Sequence, residues 1–194
     1  MKIIPIMMAL AVTSLAACVS VLPEPDVPDA LYSIEARAVH AGLAHDLIIR
    51  EPESARLMAG QGMVSESPNG GLKLVPKAEW AGPATRQMQF AMIDSFKTGE
   101  AGSAVAPELG VMAKFELASR ISGLKLNGIE AICDMKVSVI AARDRSLIAQ
   151  RHVRATRTAT SASAANRALA LRDAASECAS QASQFAIETL RDGS

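Results

Sequence analysis

The chain has 194 residues, with 20 Lys and Arg against 20 Asp and Glu, and aromatic side chains make up 3% of it. Balanced charge and scarce aromatics exclude a nucleic-acid binder, which needs a basic face or a platform for stacking bases. The length suits one domain with a real core, and no apolar run after the N-terminus approaches the ~20 residues that span a bilayer.

The first element is a targeting segment. Lys2 gives a weakly positive start, Ile3 to Val12 form an apolar stretch interrupted by Pro5, and small residues follow. That is the layout of a secretory signal peptide, too short to cross a membrane by itself. It ends in Leu15-Ala16-Ala17-Cys18, which resembles the bacterial lipobox. The resemblance implies that residues 1–17 are removed, that the Cys18 sulfur takes a diacylglycerol, and that its new amino group takes an acyl chain such as palmitate. An ordinary secretion signal with a chance cysteine is the alternative. A single chain holds a protein to a membrane only marginally and several hold it stably, so a triacylated Cys18 is a permanent tether.

Residues 18–30 form the linker, with Pro23, Pro25 and Pro28 in VLPEPDVPDA. Such a segment favours extended polyproline II at about 3 Å per residue. Val19 stands where an Asp would mark inner-membrane retention in the lipoproteins this segment resembles. The expected location is the periplasmic face of the outer membrane, with inner-membrane retention left open.

The body is expected to be one domain, residues 31–194. LYSIEA (31–36) and HDLIIREP (45–52) are short strand candidates, the second closed by Pro52. GMVSES and GLKLVP flank Pro68-Asn69-Gly70, and Asn-Gly between apolar runs signals a hairpin; Pro76 is expected to end its second strand. Pro83 suits the first turn of a helix and Gly99 its stop, with Met88, Ala91, Met92 and Phe96 on one buried face. Trp80 is read as a core anchor at the helix entry. A loop follows over 99–110, and VMAKFELASRI then alternates, Leu117 and Ile121 on one side and Lys114, Glu116 and Arg120 on the other. ISGLKLNG is expected to be a Gly-punctuated excursion. In EAICDMKVSVIAA (130–142), Ala131, Cys133, Met135, Val137 and Val139 point inward and Asp134, Lys136 and Ser138 outward. After a turn at ARDRS, LIAQRHVRATRTA returns with Leu147, Ala149, Val153 and Ala155 inward. From Ser163 to Arg191 one Ala-rich helix carries the stripe Leu171, Ala175, Cys178, Ala182 and Phe185. The predicted fold class is α+β: an antiparallel sheet with two helices packed on one face, preceded by the lipoprotein signal peptide and the Pro-rich linker.

With Cys18 taken by lipid, Cys133 and Cys178 remain, both predicted inward. Outside the inner membrane the compartment is oxidising, so the alternatives are a disulfide between them and two buried thiols.

Motifs for catalysis are missing from the sequence. His40, His45 and His152 lack the H-E-x-x-H spacing, and there is no Cys-x-x-Cys, Gly-x-Ser-x-Gly or Walker A run. The expectation is a protein that is not an enzyme, with no catalytic residues, no metal, and no cofactor apart from the lipid on Cys18. Charge does cluster on the last hairpin, where Arg143, Arg145, Arg151, Arg154 and Arg157 lie close together. They read either as a surface for an acidic partner or lipid head groups, or as solvated edge charges that discourage aggregation.

In order along nearly the whole body, LYSIEA, DLIIREP, LKLVPKAEWAGPATRQMQFAMIDSFKTG with its Trp before an amphipathic helix, AKFELASR, MKVSVIAARDRSLIAQRHVRAT and the closing helix resemble the ABC-type transport auxiliary lipoprotein family, which includes paraquat-inducible protein C. The resemblance implies a non-enzymatic, lipid-anchored accessory to a transporter. Its partners would be a mammalian-cell-entry (MCE) domain protein that forms a channel across the periplasm, with an ABC ATPase and permease, and its cargo a phospholipid or other apolar envelope molecule. The resemblance also makes a homo-oligomer a further expectation. The runner-up is a lipoprotein that helps assemble or insert another outer-membrane component.

Overall fold

The computed structural model describes residues 27–40, 42–97 and 101–192. The signal peptide, Cys18 and Gly99 lie outside the described residues. The elements in chain order are β1 (Ala30–Tyr32), β2 (Leu47–Ile49), β3 (Glu53–Ser54), α1 (Arg56–Ala59), β4 (Gly62–Glu66), β5 (Leu72–Trp80), α2 (Ala84–Asp94), β6 (Ala104–Val105), a 3-10 turn (Pro107–Leu109), β7 (Phe115–Asn127), β8 (Glu130–Ala141), β9 (Leu147–Thr158) and α3 (Ala164–Asp192). The fold is α+β in one domain, as the sequence predicts.

β7 is the spine. One of its edges pairs antiparallel with β8 along the whole strand, and β8 pairs in turn with β9. Its other edge is shared by three short parallel strands: β2 at Phe115–Leu117, β3 at Arg120–Ile121 and β4 at Leu126–Asn127. β5 returns antiparallel on β4, β1 adds in parallel to β5, and β6 adds in parallel to β2. The second half of the chain is the antiparallel meander expected, and the first half makes the sheet mixed. Alternation in a sequence reports which face a side chain takes, not which strand lies beside it or in which direction.

Alternation explains the core. Ala131, Cys133, Met135, Val137 and Val139 of β8 are fully buried, and α3 lays Leu171, Ala175, Cys178 and Ala182 over them. Ala at these helix positions lets the backbone approach the sheet closely. α2 packs beside α3, joined by the Ser183 hydroxyl donating to the Met92 carbonyl at 3.2 Å, and Gln89 donates through Nε2 to the Ile49 carbonyl of β2 at 2.7 Å. Met88, Met92 and Trp80 are all core.

Three local expectations are corrected. β5 does not end at Pro76 but runs on to Trp80. Proline is tolerated in a strand at a bulge or an edge, and here the pairing with β4 jumps from Val64↔Leu74 to Gly62↔Glu79, with Lys77 at φ 59°. ISGLKLNG is strand rather than excursion: β7 continues to Asn127, with one irregularity between Ile121 and Gly123 that absorbs Ser122 and resets the alternation. Leu147 is exposed rather than inward, because a bulge between Val139↔Ala149 and Ile140↔Leu147 shifts the start of β9.

Candidate docking surface

The face of the meander away from the helices is built by register. Arg120 of β7 lies opposite Lys136 of β8, and Lys136 lies opposite His152 of β9, so three basic side chains cross the sheet in one row. All three are exposed. In the next row Asp134 accepts from the Ser122 hydroxyl at 3.1 Å, contacts His152 through Nε2, and lies 4.0 Å from the Arg154 guanidinium. Beside the row, Arg50, Glu51, Glu53, Arg120, Lys136 and Ser138 line an open groove.

One end of this face is fixed by a charge cluster. Glu116 has only 8% of its side chain exposed and accepts from Arg50 Nε at 2.6 Å and Arg145 Nη1 at 2.5 Å. The hydrogen bond from Arg50 holds its carboxyl below the usual carboxylate range; burial pushes the other way, and Arg145 adds to the lowering. The same bond raises the Arg50 guanidinium. Arg145 sits at φ 64° in the β8–β9 turn, a region a non-glycine residue seldom adopts, and from there its guanidinium reaches Glu116.

A folded-state pKa below the unfolded value gives stability that is present above the unfolded pKa and lost as pH falls through the folded one. Glu116→Gln is therefore expected to cost about 1–2 kcal/mol at neutral pH, the low end for charged hydrogen bonds because both arginines are about half exposed. The difference from the parent should shrink below about pH 4, where an unfolded Glu gains its proton. Urea unfolding across pH checks this, and a pH-independent difference would contradict it.

The five arginines singled out in the sequence are not one patch. Arg154 is on the outward face, and Arg145 reaches Glu116 from the turn that also holds Arg143. Arg151 and Arg157 turn to the helix side, where they meet Glu188 at 2.8 Å and Glu177 at 3.2 Å, with Arg151 also stacked 4.6 Å over the Phe185 ring. In their place the register brings in Arg120, Lys136 and Arg50. Alternation had already put Arg120 and Lys136 outward, but only the pairing shows that they align with His152.

Cys133 and Cys178 stand side by side as buried thiols between β8 and α3, and burial together with the neighbouring Cys178 pushes the Cys133 thiol well up. Among the described residues no helix is long and apolar enough to cross a membrane, and no three His, Cys, Asp or Glu side chains are placed to hold a metal ion.

The domain is a curled mixed sheet backed by a long Ala-rich helix, with a polar outer face. The chain belongs to the ABC-type transport auxiliary lipoprotein component family, which it matches over residues 30–183. Its fold is similar to that of protein XCC0632 from Xanthomonas campestris, a member of family DUF330, with a TM-score of 0.72 and 17% identity over 84% of this chain and 98% of that one. A second solved structure, of an uncharacterized protein, gives a TM-score of 0.58 at 12% identity over 78% of this chain and 99% of the other. No curated protein matches the chain.

Proposed function

We infer that this is a non-enzymatic lipoprotein, tethered through Cys18 to the periplasmic face of the outer membrane, that docks the periplasmic channel of an ABC/MCE-type system moving phospholipid between envelope membranes. The observation that carries the reading is the family match over residues 30–183, directly downstream of a lipobox and a short Pro-rich spacer. Such a role asks for an anchor, a spacer and a rigid domain with a face that can mate. The sheet supplies stiffness, and the row Arg120–Lys136–His152 supplies a face complementary to acidic groups. The partners on this reading are an MCE-domain protein and, through it, the ABC ATPase and permease; self-association of the lipoprotein is compatible with it.

The docking face is tested by charge reversal. Arg120→Glu combined with Lys136→Glu is expected to lower capture of the MCE-domain protein from detergent-solubilised membranes by about tenfold or more. Lys73→Glu, on the remote β4–β5 hairpin, should leave capture unchanged, and all variants should melt with the parent. Undiminished capture by the doubly reversed variant would remove docking from this face.

A further inference from the structure

We propose that Cys133 and Cys178 are joined by a disulfide in the exported protein, a covalent staple between the last helix and the centre of the sheet. Cys133 is on the inward face of β8 and Cys178 on the inward face of α3, both fully buried and next to each other. The helix is held in register by other means. Arg157 of β9 meets Glu177, the residue before Cys178, and Arg151 meets Glu188 further along the helix. Ala155, two residues from Arg157, is the cross-strand partner of Cys133. These two ion pairs fix how far α3 slides along the hairpin independently of the sulfurs, so the facing of Cys178 toward Cys133 does not depend on a bond between them. Ala174, Ala175, Ala179 and Ala182 around Cys178 are buried and allow the close backbone approach that a disulfide requires.

The oxidant is a dithiol–disulfide exchange protein of the periplasm. The thiolate of one cysteine attacks the oxidant's disulfide, forms a mixed disulfide and releases one oxidant sulfur as a thiolate. The thiolate of the second cysteine then attacks the mixed disulfide, closes the Cys133–Cys178 bond and expels the other oxidant sulfur. Two electrons pass to the oxidant, whose two expelled thiolates take up the two protons lost by the cysteines, so that it leaves as a dithiol. Cys133 and Cys178 are consecutive in the mature chain once Cys18 carries lipid, so an emerging chain offers this pair and no other. Burial withdraws both sulfurs from solvent and pushes the Cys133 thiol well up, which places the exchange before α3 closes on the sheet.

The proposal rests on export beyond the inner membrane, so two measurements separate its parts. First, full-length protein from the cell envelope is denatured in a maleimide, digested without reductant and weighed. The peptides Leu126–Lys136 and Asp173–Arg191 should appear joined by sulfur and free of maleimide. Second, purified protein is reduced, unfolded and refolded in a glutathione redox buffer, where the same bond should form. The oxidised protein should then melt about 10 °C above its reduced form, a shift that Cys133→Ala abolishes. Two maleimide-labelled cysteines in the envelope protein overturn the proposal. The refolding result then assigns the failure: no bond in glutathione indicts the geometry, whereas a bond there indicts the compartment.

Discussion

Trp80→Ala is expected to lower the free energy of unfolding by about 3–5 kcal/mol, the usual cost of emptying a buried aromatic site. Trp80 is 1% exposed and closes β5 where three segments converge. Its backbone N–H donates to the Gln61 carbonyl at 2.7 Å, and the next residue, Ala81, donates to the Tyr32 carbonyl at 2.8 Å. The backbone at Trp80 is thus tied to β1 and to the residue before β4, just ahead of α2, and its side chain is buried. A domain's total stability is about 5–15 kcal/mol, so a large fraction of it rests on this side chain. Urea denaturation should show the midpoint falling with an unchanged slope. A loss below about 1 kcal/mol would mean that the site collapses, or that Trp80 is peripheral to the core.

Gly102→Ala should be nearly as damaging, for a backbone reason. A Cβ at Gly102 would lie 2.3 Å from the His45 carbonyl carbon, 2.5 Å from its oxygen and 2.7 Å from its Cα. These are backbone atoms, so a rotamer change cannot relieve the clash and the segments must separate. Gly102 bridges to Leu43, and the following residues pair β6 with β2, so separation would peel β6 away and loosen the edge of the sheet beside Phe115. The expected cost is about 2–3 kcal/mol, within the range for overpacking. Hydrogen exchange should locate the loss at Leu47 and Ile48. Gly60→Ala is the control, because its Cβ would meet only the Arg56 carbonyl oxygen at an ordinary 3.8 Å. Equal destabilisation by both substitutions would contradict the steric argument.

Where the sequence could be read, one side chain per residue carried the signal. The α3 stripe and the alternation of β8 each name their buried face without ambiguity, and Asn69-Gly70 marks its hairpin: Gly70 takes φ 81° and Asn69 accepts from the Gly71 N–H. What escaped the sequence depends on pairs. Ser122 and Ile148 are single-residue irregularities, and each reverses the alternation around it, so one strand looked like a loop and Leu147 looked buried. The end of α2 illustrates a third case: the helix stops at Asp94, with the Ser95 hydroxyl donating to the Ala91 carbonyl at 2.7 Å, yet Phe96 beyond it is still buried. The basic row on the outer face suffers most from this limit. Arg120, Lys136 and His152 are far apart in the chain and meet only through two strand registers, whereas the five hairpin arginines are close in sequence and are divided by the two faces of the sheet.

The central claim, that this lipoprotein docks an MCE channel from a lipid anchor, is tested most directly by crosslinking and affinity capture of the full-length protein from native membranes, with a Cys18→Ala control. The account predicts recovery of an MCE-domain protein, and a clear weakening of that recovery when the anchor is removed. Recovery of an outer-membrane barrel protein in its place, or of no envelope protein, would contradict it; a barrel partner would favour a role in envelope assembly.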